Sequence, residues 1–177
     1  MAKKATPAPI ITDLDLDDKE PMTNGEDTSP AAGIISQYVK DLSVENPNAP
    51  ACYQWADGPQ LEVQFNITAN VVSEDVQEVE LKIQLAAKSD EGTAYIIDLT
   101  YCGLVGMRNL SEADQHAFIY AEAPRILFPF ARRVVADAVR DAGFAPLMLD
   151  PIDFNGLYFQ QLAQRQEEGA DLPVGNA

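Results

Sequence analysis

Along residues 61–71 the chain alternates strictly: Leu61, Val63, Phe65, Ile67, Ala69 and Val71 take turns with Glu62, Gln64, Asn66, Thr68 and Asn70. The alternation pauses at Ser73, Glu74 and Asp75. It resumes with Val79, Leu81, Ile83 and Leu85 set against Glu78, Glu80, Lys82 and Gln84. Residues 88–92 (Lys-Ser-Asp-Glu-Gly) turn the chain into a third run over 93–104. A period of two sends successive side chains to opposite faces, so each run is predicted to be a strand with one apolar and one polar face. The short turns make these neighbours antiparallel, since parallel neighbours need long crossovers.

A further strand is predicted over 34–44, with Tyr38, Lys40, Leu42 and Val44 on one face and Val39, Asp41, Ser43 and Glu45 on the other. Pro47 and Pro50 stop it, because proline supplies no N–H to a ladder. A connection over 51–59 carries Tyr53 and the only tryptophan, Trp55. Beyond the strands the period changes. Ser111 and Asp114 form a shortened capping box ahead of a first helix, which Pro124 is expected to end or kink. A second helix is predicted over 125–141, its apolar stripe running through Leu127, Phe130, Ala131, Val134 and Ala138 and widened by Phe128, Val135 and Val139. Pro129 is expected only within its first turn, and Gly143 is expected to end it. So wide a stripe exceeds what one small sheet covers, which points to a second copy of the chain packing there. After an apolar connector over 144–151, Asp153 is placed to cap a short last helix carrying Phe154, Leu157, Tyr158, Phe159 and Leu162.

The fold class that follows is α+β: a four-stranded antiparallel sheet with helices packed on one face. The folded domain spans 34–164. Residues 1–33 combine four prolines with the acidic run Asp13-Leu14-Asp15-Leu16-Asp17-Asp18, so a disordered acidic arm is expected. Residues 165–177 are polar and small and are expected to form a flexible tail.

Charge narrows the function. The chain holds 28 acidic and 12 basic residues, a formal net charge of −16. Such a field repels phosphate backbones and anionic lipid, leaving nucleic acid and membrane as poor partners and a basic polypeptide as a better one. No apolar run is long enough to span a bilayer, and no apolar stretch follows the two lysines near Met1, so a cytoplasmic location is expected. Cys52 and Cys102 are expected to be reduced.

Catalytic equipment is sparse. His116 is the only histidine, which leaves no two-histidine metal site. No phosphate-binding glycine loop or Gly-x-Ser-x-Gly elbow occurs. A cysteine nucleophile at Cys52 or Cys102 would need His116 as its base. Arg132 and Arg133 can pair with Asp137 and Asp141 along a solvated stripe. No catalytic residue, metal ligand or cofactor is therefore assigned.

Two surface features remain. The polar sheet face gathers Asp41, Glu45, Glu62, Glu78, Glu80 and Asp98 with Lys82 as their counter-charge. That is either a solubilising face or a dock for a basic partner. The connectors are rich in Tyr53, Trp55, Phe144, Leu147, Met148 and Leu149. These either close the core or line a groove for extended apolar peptide.

Residues 38–50 (Tyr-Val-Lys-Asp-Leu-Ser-Val-Glu-Asn-Pro-Asn-Ala-Pro) resemble the first-strand motif of the SecB family of protein-export chaperones. So do residues 126–132 (Ile-Leu-Phe-Pro-Phe-Ala-Arg), 143–149 (Gly-Phe-Ala-Pro-Leu-Met-Leu) and 151–154 (Pro-Ile-Asp-Phe). The resemblance runs from about residue 35 to residue 164. It implies a homotetramer, a dimer of dimers, that holds unfolded preproteins without ATP and hands them to the export ATPase SecA. By the same resemblance, Asp41, Glu45, Ile96 and Asp98 match SecA-docking positions, and Ile97, Leu99 and Tyr101 match positions that support the tetramer. Tyr53, Trp55, Phe144, Leu147, Leu149, Phe154 and Tyr158 match the client channels, with Trp55 slightly ahead of the family's tryptophan. The alternatives are a relative dedicated to a toxin–antitoxin client and a cysteine-dependent enzyme.

Overall fold

A computed structural model describes residues 29–170. Four strands, β1 (Ala31–Glu45), β2 (Gln60–Ser73), β3 (Val76–Ser89) and β4 (Gly92–Arg108), form one antiparallel sheet in the order β1-β4-β3-β2. β2, β3 and β4 follow one another as a meander because the turns joining them are only a few residues long. β1 closes the other edge by pairing with β4, Leu42 opposite Leu99 and Val44 opposite Ile97. The helices are α1 (Glu112–Ala117), α2 (Ala123–Asp141) and α3 (Phe154–Ala170). The α+β class expected from the alternation is what the chain adopts.

α2 lies across the inner sheet face. Val79, Leu81, Ile83 and Leu85 of β3 and Ile97, Leu99 and Val105 of β4 meet Leu127, Ala131, Val135 and Val139 in one dry cluster. Gly103 brings the layers close: a Cβ there would lie 2.9 Å from Leu127 Cδ2. At α2's end, Gly143 takes φ +91° and donates its N–H to the Arg140 carbonyl, while Phe144 N–H reaches the Val139 carbonyl. That pair of bonds is a Schellman cap, which a left-handed glycine serves without strain. Ser111 caps α1 by accepting from Asp114 N–H at 3.1 Å, and Asp153 caps α3 by accepting from Gly156 N–H at 3.0 Å.

Several expectations are corrected. β1 begins at Ala31, ahead of the Ile34 boundary, so residues 31–33 belong to the sheet; residues 1–28 of the expected arm lie outside the described residues. Pro124 does not end the helix. A π turn over Phe118–Glu122 joins α1 to α2, with Ala123 N–H bonded back to the Phe118 carbonyl, and the widened turn takes up the proline that follows. Pro129 lies in the interior of α2, on its exposed side. α3 continues past Arg165 to Ala170, and residues 171–177 lie outside the described residues.

The faces of β1 also differ from strict alternation. The register breaks between Ile34 and Ser36 and between Val39 and Asp41. Each bulge shifts the parity by one residue. Tyr38 therefore opposes Cys102 on the outer face, and Lys40 reaches outer-face carboxylates. Leu42 and Val44 join Val39 on the inner face. These last three are 41%, 42% and 42% exposed, because α2 covers the middle of the sheet and leaves its edge open. Within the predicted α2 stripe only Phe130 is exposed (42%), so the uncovered apolar surface lies mainly outside it, on β1 and on other elements such as β2 and α3.

Candidate functional site

The outer sheet face carries ordered charge. Lys40 Nζ lies 2.6 Å from Glu78 Oε2 and 2.7 Å from Glu80 Oε1; Lys88 lies 2.7 Å from Glu62. Lys82 comes to 3.5 Å from Asp98 Oδ1, an ion pair with no hydrogen bond at that oxygen, while Gln84 donates to Asp98 Oδ2 at 2.9 Å. Three lysines, not Lys82 alone, offset the acidic face. The hydroxyl of Tyr38 donates to Glu78. That bond, and secondarily burial, pushes the Tyr38 phenol up to about 12. The same contacts, with Lys40 first, hold the Glu78 carboxyl below its ordinary range.

Beneath them the buried Cys102 thiol is pushed up to about 12, mainly by burial and then by Glu78 and Glu80. It is therefore a poor nucleophile. Cys102, Glu78 and Glu80 could together ligate a metal ion. Lys40 already supplies the cation between the two carboxylates, so an incoming ion would have to displace its ammonium.

Asp41, Glu45, Ile96 and Asp98 do come together. Glu45 opposes Ile96, and Asp98 opposes Ser43, which lies between Asp41 and Glu45 on the same face. Among the described residues Asp41 and Glu45 have no ion-pair partner, so their charge is free for another molecule. Ile97, Leu99 and Tyr101 point the other way. They are 0%, 0% and 6% exposed, sealed under α2 within one subunit, so they present no contact surface of their own.

The seven channel candidates divide into two groups. Tyr53, Trp55, Phe144 and Leu147 are exposed or half-buried near the end of α2. The Tyr53 hydroxyl donates to the Ala142 carbonyl at 2.9 Å and accepts from Asn46 at 2.8 Å, and its ring meets Phe144 at 5.3 Å. Tyr53 borders a groove of about 600 Å³ between Leu42 and Val44 of β1 and Arg133, Val134 and Asp137 of α2. Leu149, Phe154 and Tyr158 are buried instead, as floor rather than rim. Arg132, expected on the solvated stripe, donates to the Leu149 carbonyl at 3.1 Å and pins the connector; Arg133 pairs with Asp137 as expected. Phe154 lies edge-on to Phe128, and the Tyr158 hydroxyl bonds His116 Nδ1 at 2.9 Å.

Phe154 and Tyr158 underlie a second groove, of about 440 Å³, whose walls are residues that sequence reasoning did not single out. Phe65 and Ile67 of β2 form one wall, and Leu157, Leu162 and Arg165 of α3 form the other, with Tyr120 and His116 at the base. Phe65 is 38% and Leu157 48% exposed. Phe65 belongs to the apolar set of its strand, but β2 is the sheet's edge and α3 stands off from it, so the ring stays half-open. The alternation marks which face Phe65 takes; it carries no signal for how far the helix layer extends. Such a cleft takes apolar side chains from a chain in extended form, and a strand edge beside it offers unpaired backbone groups.

Comparison with known proteins agrees with this architecture. The family model described as "SecB: Preprotein translocase subunit SecB" matches residues 25–165. A protein-export protein SecB from Novosphingobium aromaticivorans is 61% identical, the match covering 95% of this chain and 96% of that one. One from Erythrobacter litoralis is also 61% identical, over 95% of this chain and 97% of that one. Among solved structures, a SecB-like chaperone of Mycobacterium tuberculosis, in complex with a peptide from the HigA1 antitoxin, superposes with a TM-score of 0.57. It is 16% identical, the match covering 68% of this chain and 90% of that one, and it shows the fold alone. The family match makes this open-sheet α+β fold a chaperone of protein export. The chain belongs to the SecB family, the protein-export chaperones.

Proposed function

We propose that this chain is a nucleotide-independent, non-enzymatic holdase of the cytoplasm that keeps unfolded preproteins competent for export and passes them to SecA. The observation that carries client capture is the groove between β2 and α3, where Phe65 and Leu157 stay half-exposed over a floor already closed by Phe154 and Tyr158. Burial is non-directional, so such a surface accepts many sequences, and several weak contacts on one long client add up by multivalency. The groove bordered by Tyr53, with Trp55, Phe144 and Leu147 nearby, extends the surface to the far end of α2. Asp41, Glu45, Ile96 and Asp98 form the SecA dock, since two unpaired carboxylates beside an apolar side chain suit a basic partner.

Four copies assemble as a dimer of dimers, covering the half-open Val39, Leu42, Val44 and Phe130. Ile97, Leu99 and Tyr101 contribute to assembly indirectly, by seating α2. No helix among the described residues is long and apolar enough to cross a membrane.

The test is refolding of a denatured precursor, without nucleotide, in the presence of the purified chain. Delay is expected. Phe65→Ser with Leu157→Ser should weaken capture roughly tenfold, as loss of one to two kcal/mol of apolar contact does. Asp41→Lys with Glu45→Lys should weaken SecA binding, most at low salt, with capture intact. Unhindered refolding would refute the holdase reading. Recovery of one dominant toxin–antitoxin client from cells would favour a dedicated chaperone instead.

A further inference from the structure

The floor of the groove between β2 and α3 is aromatic, with one ordered polar pair set into it. Phe65, Tyr120, Phe154 and Tyr158 border the groove. His116 stands among them, its ring 4.6 Å from that of Tyr120 and 5.5 Å from that of Tyr158. It is the only histidine in the chain. Its Nδ1 lies 2.9 Å from the Tyr158 hydroxyl, and Tyr158 is 8% exposed. α1 supplies the histidine and α3 the tyrosine, so the pair exists only where two helices distant in sequence have met.

That bond settles where the imidazole carries its hydrogen. A phenol is the better donor of the pair and an imidazole nitrogen the better acceptor, so Tyr158 donates and Nδ1 accepts. The hydrogen then sits on Nε2. Nε2 has no protein partner among the described residues. Nor is it sealed from solvent, since the only buried side-chain nitrogen or oxygen without a hydrogen bond among those residues is Asp98 Oδ1. The Tyr120 hydroxyl is likewise unpartnered and open. A purely apolar side chain laid over these atoms strips their water and replaces none of its hydrogen bonds. An aromatic ring that ends in a hydroxyl fills the same walls and replaces them.

We propose that His116 is a specificity-determining residue of this groove and reads the hydroxyl of a client tyrosine. The client ring lies against Phe65 and Phe154, and its oxygen accepts from Nε2–H. Tyr158 acts through His116, as a positioning residue that holds the imidazole ring and its tautomer. A client phenylalanine meets the same walls but leaves the donor unpaired. Water still reaches a half-open groove, so the preference is modest, about fivefold, and ranks clients without excluding any. The proposal rests on the reading of this groove as a client site.

The experiment uses the full-length chain and a pair of short unstructured peptides, identical except for a central tyrosine or phenylalanine between leucines. Fluorescence anisotropy should give the tyrosine peptide about fivefold the affinity of its twin. His116→Phe keeps a ring and removes the donor, and should bring the ratio to about one; Tyr158→Phe frees the tautomer and should narrow it. A loosened fold shifts both peptides alike and leaves the ratio, so the ratio reports the hydrogen bond rather than packing. Without any variant, isotope-labelled histidine should give an imidazole signal protonated at Nε2 that moves more with the tyrosine peptide than with its twin. Equal affinities in the parent, a preference undiminished in either variant, or a hydrogen on Nδ1 overturns the proposal. Phe65→Ser with Leu157→Ser separates it from the reading beneath. If that double variant weakens both peptides while the parent shows no preference, the client site stands and the role of His116 falls. If it leaves both affinities unchanged, the client site falls and the role of His116 with it.

Discussion

Lys40 shows how one residue organises a surface. Because β1 bulges beside it, its ammonium leaves the apolar side and bridges Glu78 and Glu80. Glu78 then has a folded-state pKa below its ordinary 4.5, lowered by Lys40 and then by Tyr38. A depressed carboxylate adds stability that is fully present above the unfolded value and is lost as the pH falls through the folded one. Tyr38 has the opposite sign: raised from 10.0 to about 12, it adds stability that is full below 10.0 and lost as the pH rises toward 12. In Lys40→Met the two glutamates keep their proximity without a cation, so one of them protonates more readily. The urea midpoint of the variant should therefore start lower near neutral pH and fall less than that of the parent as an acid titration passes below 4.5. Superimposable acid limbs for the two proteins would show that Lys40 does not set the behaviour of Glu78.

At the scale of elements, the end of α2 is where helix, connector and groove meet. Gly143 closes the helix at φ +91°, and Tyr53 packs over it, its ring 3.0 Å from where a Cβ would stand. Gly143→Ala meets two costs, the left-handed backbone and displacement of Tyr53 from the Ala142 carbonyl, together roughly 1–3 kcal/mol. Denaturant unfolding should register that loss, and Tyr53 should become more accessible to iodination. A variant as stable as the parent would mean that the Schellman cap contributes little. The run from α1 through the π turn to α2 carries a related lesson. Pro124 is read from sequence as a stop, yet the helical run absorbs it by widening one turn, since packing of Ile119 and Ala121 outweighs the lost hydrogen bond.

At the scale of the molecule, the inner and outer sheet faces have different duties. Leu99 is fully buried under α2, so Leu99→Ala should cost about 2–5 kcal/mol of subunit stability. If assembly depends on a well-seated α2, light scattering over a dilution series should show the oligomer loosening in parallel. Val44→Ser, at a half-open position, should loosen the oligomer with a much smaller loss of subunit stability. An oligomer weakened by Leu99→Ala at unchanged unfolding midpoint would contradict the indirect role given to Ile97, Leu99 and Tyr101.

Much of this was legible in the chain alone. Side-chain alternation is a local property of extended backbone, so the odd-numbered residues of β2, β3 and β4 declare their face without any knowledge of partners. The caps at Ser111, Gly143 and Asp153 are equally local. A bulge is not. Whether Tyr38 lies beside Leu42 or opposite to it depends on how β1 is fitted to β4, and strict counting put it on the wrong face. Exposure is not local either: Phe65 and Leu85 follow the same pattern, yet one is 38% open and the other 1%, because only the second lies under the helix layer. The sequence by itself determined which side chains could face inward, since that depends on backbone period and apolar character. The tertiary structure decided which of them stayed uncovered, since coverage depends on where elements distant along the chain come to rest.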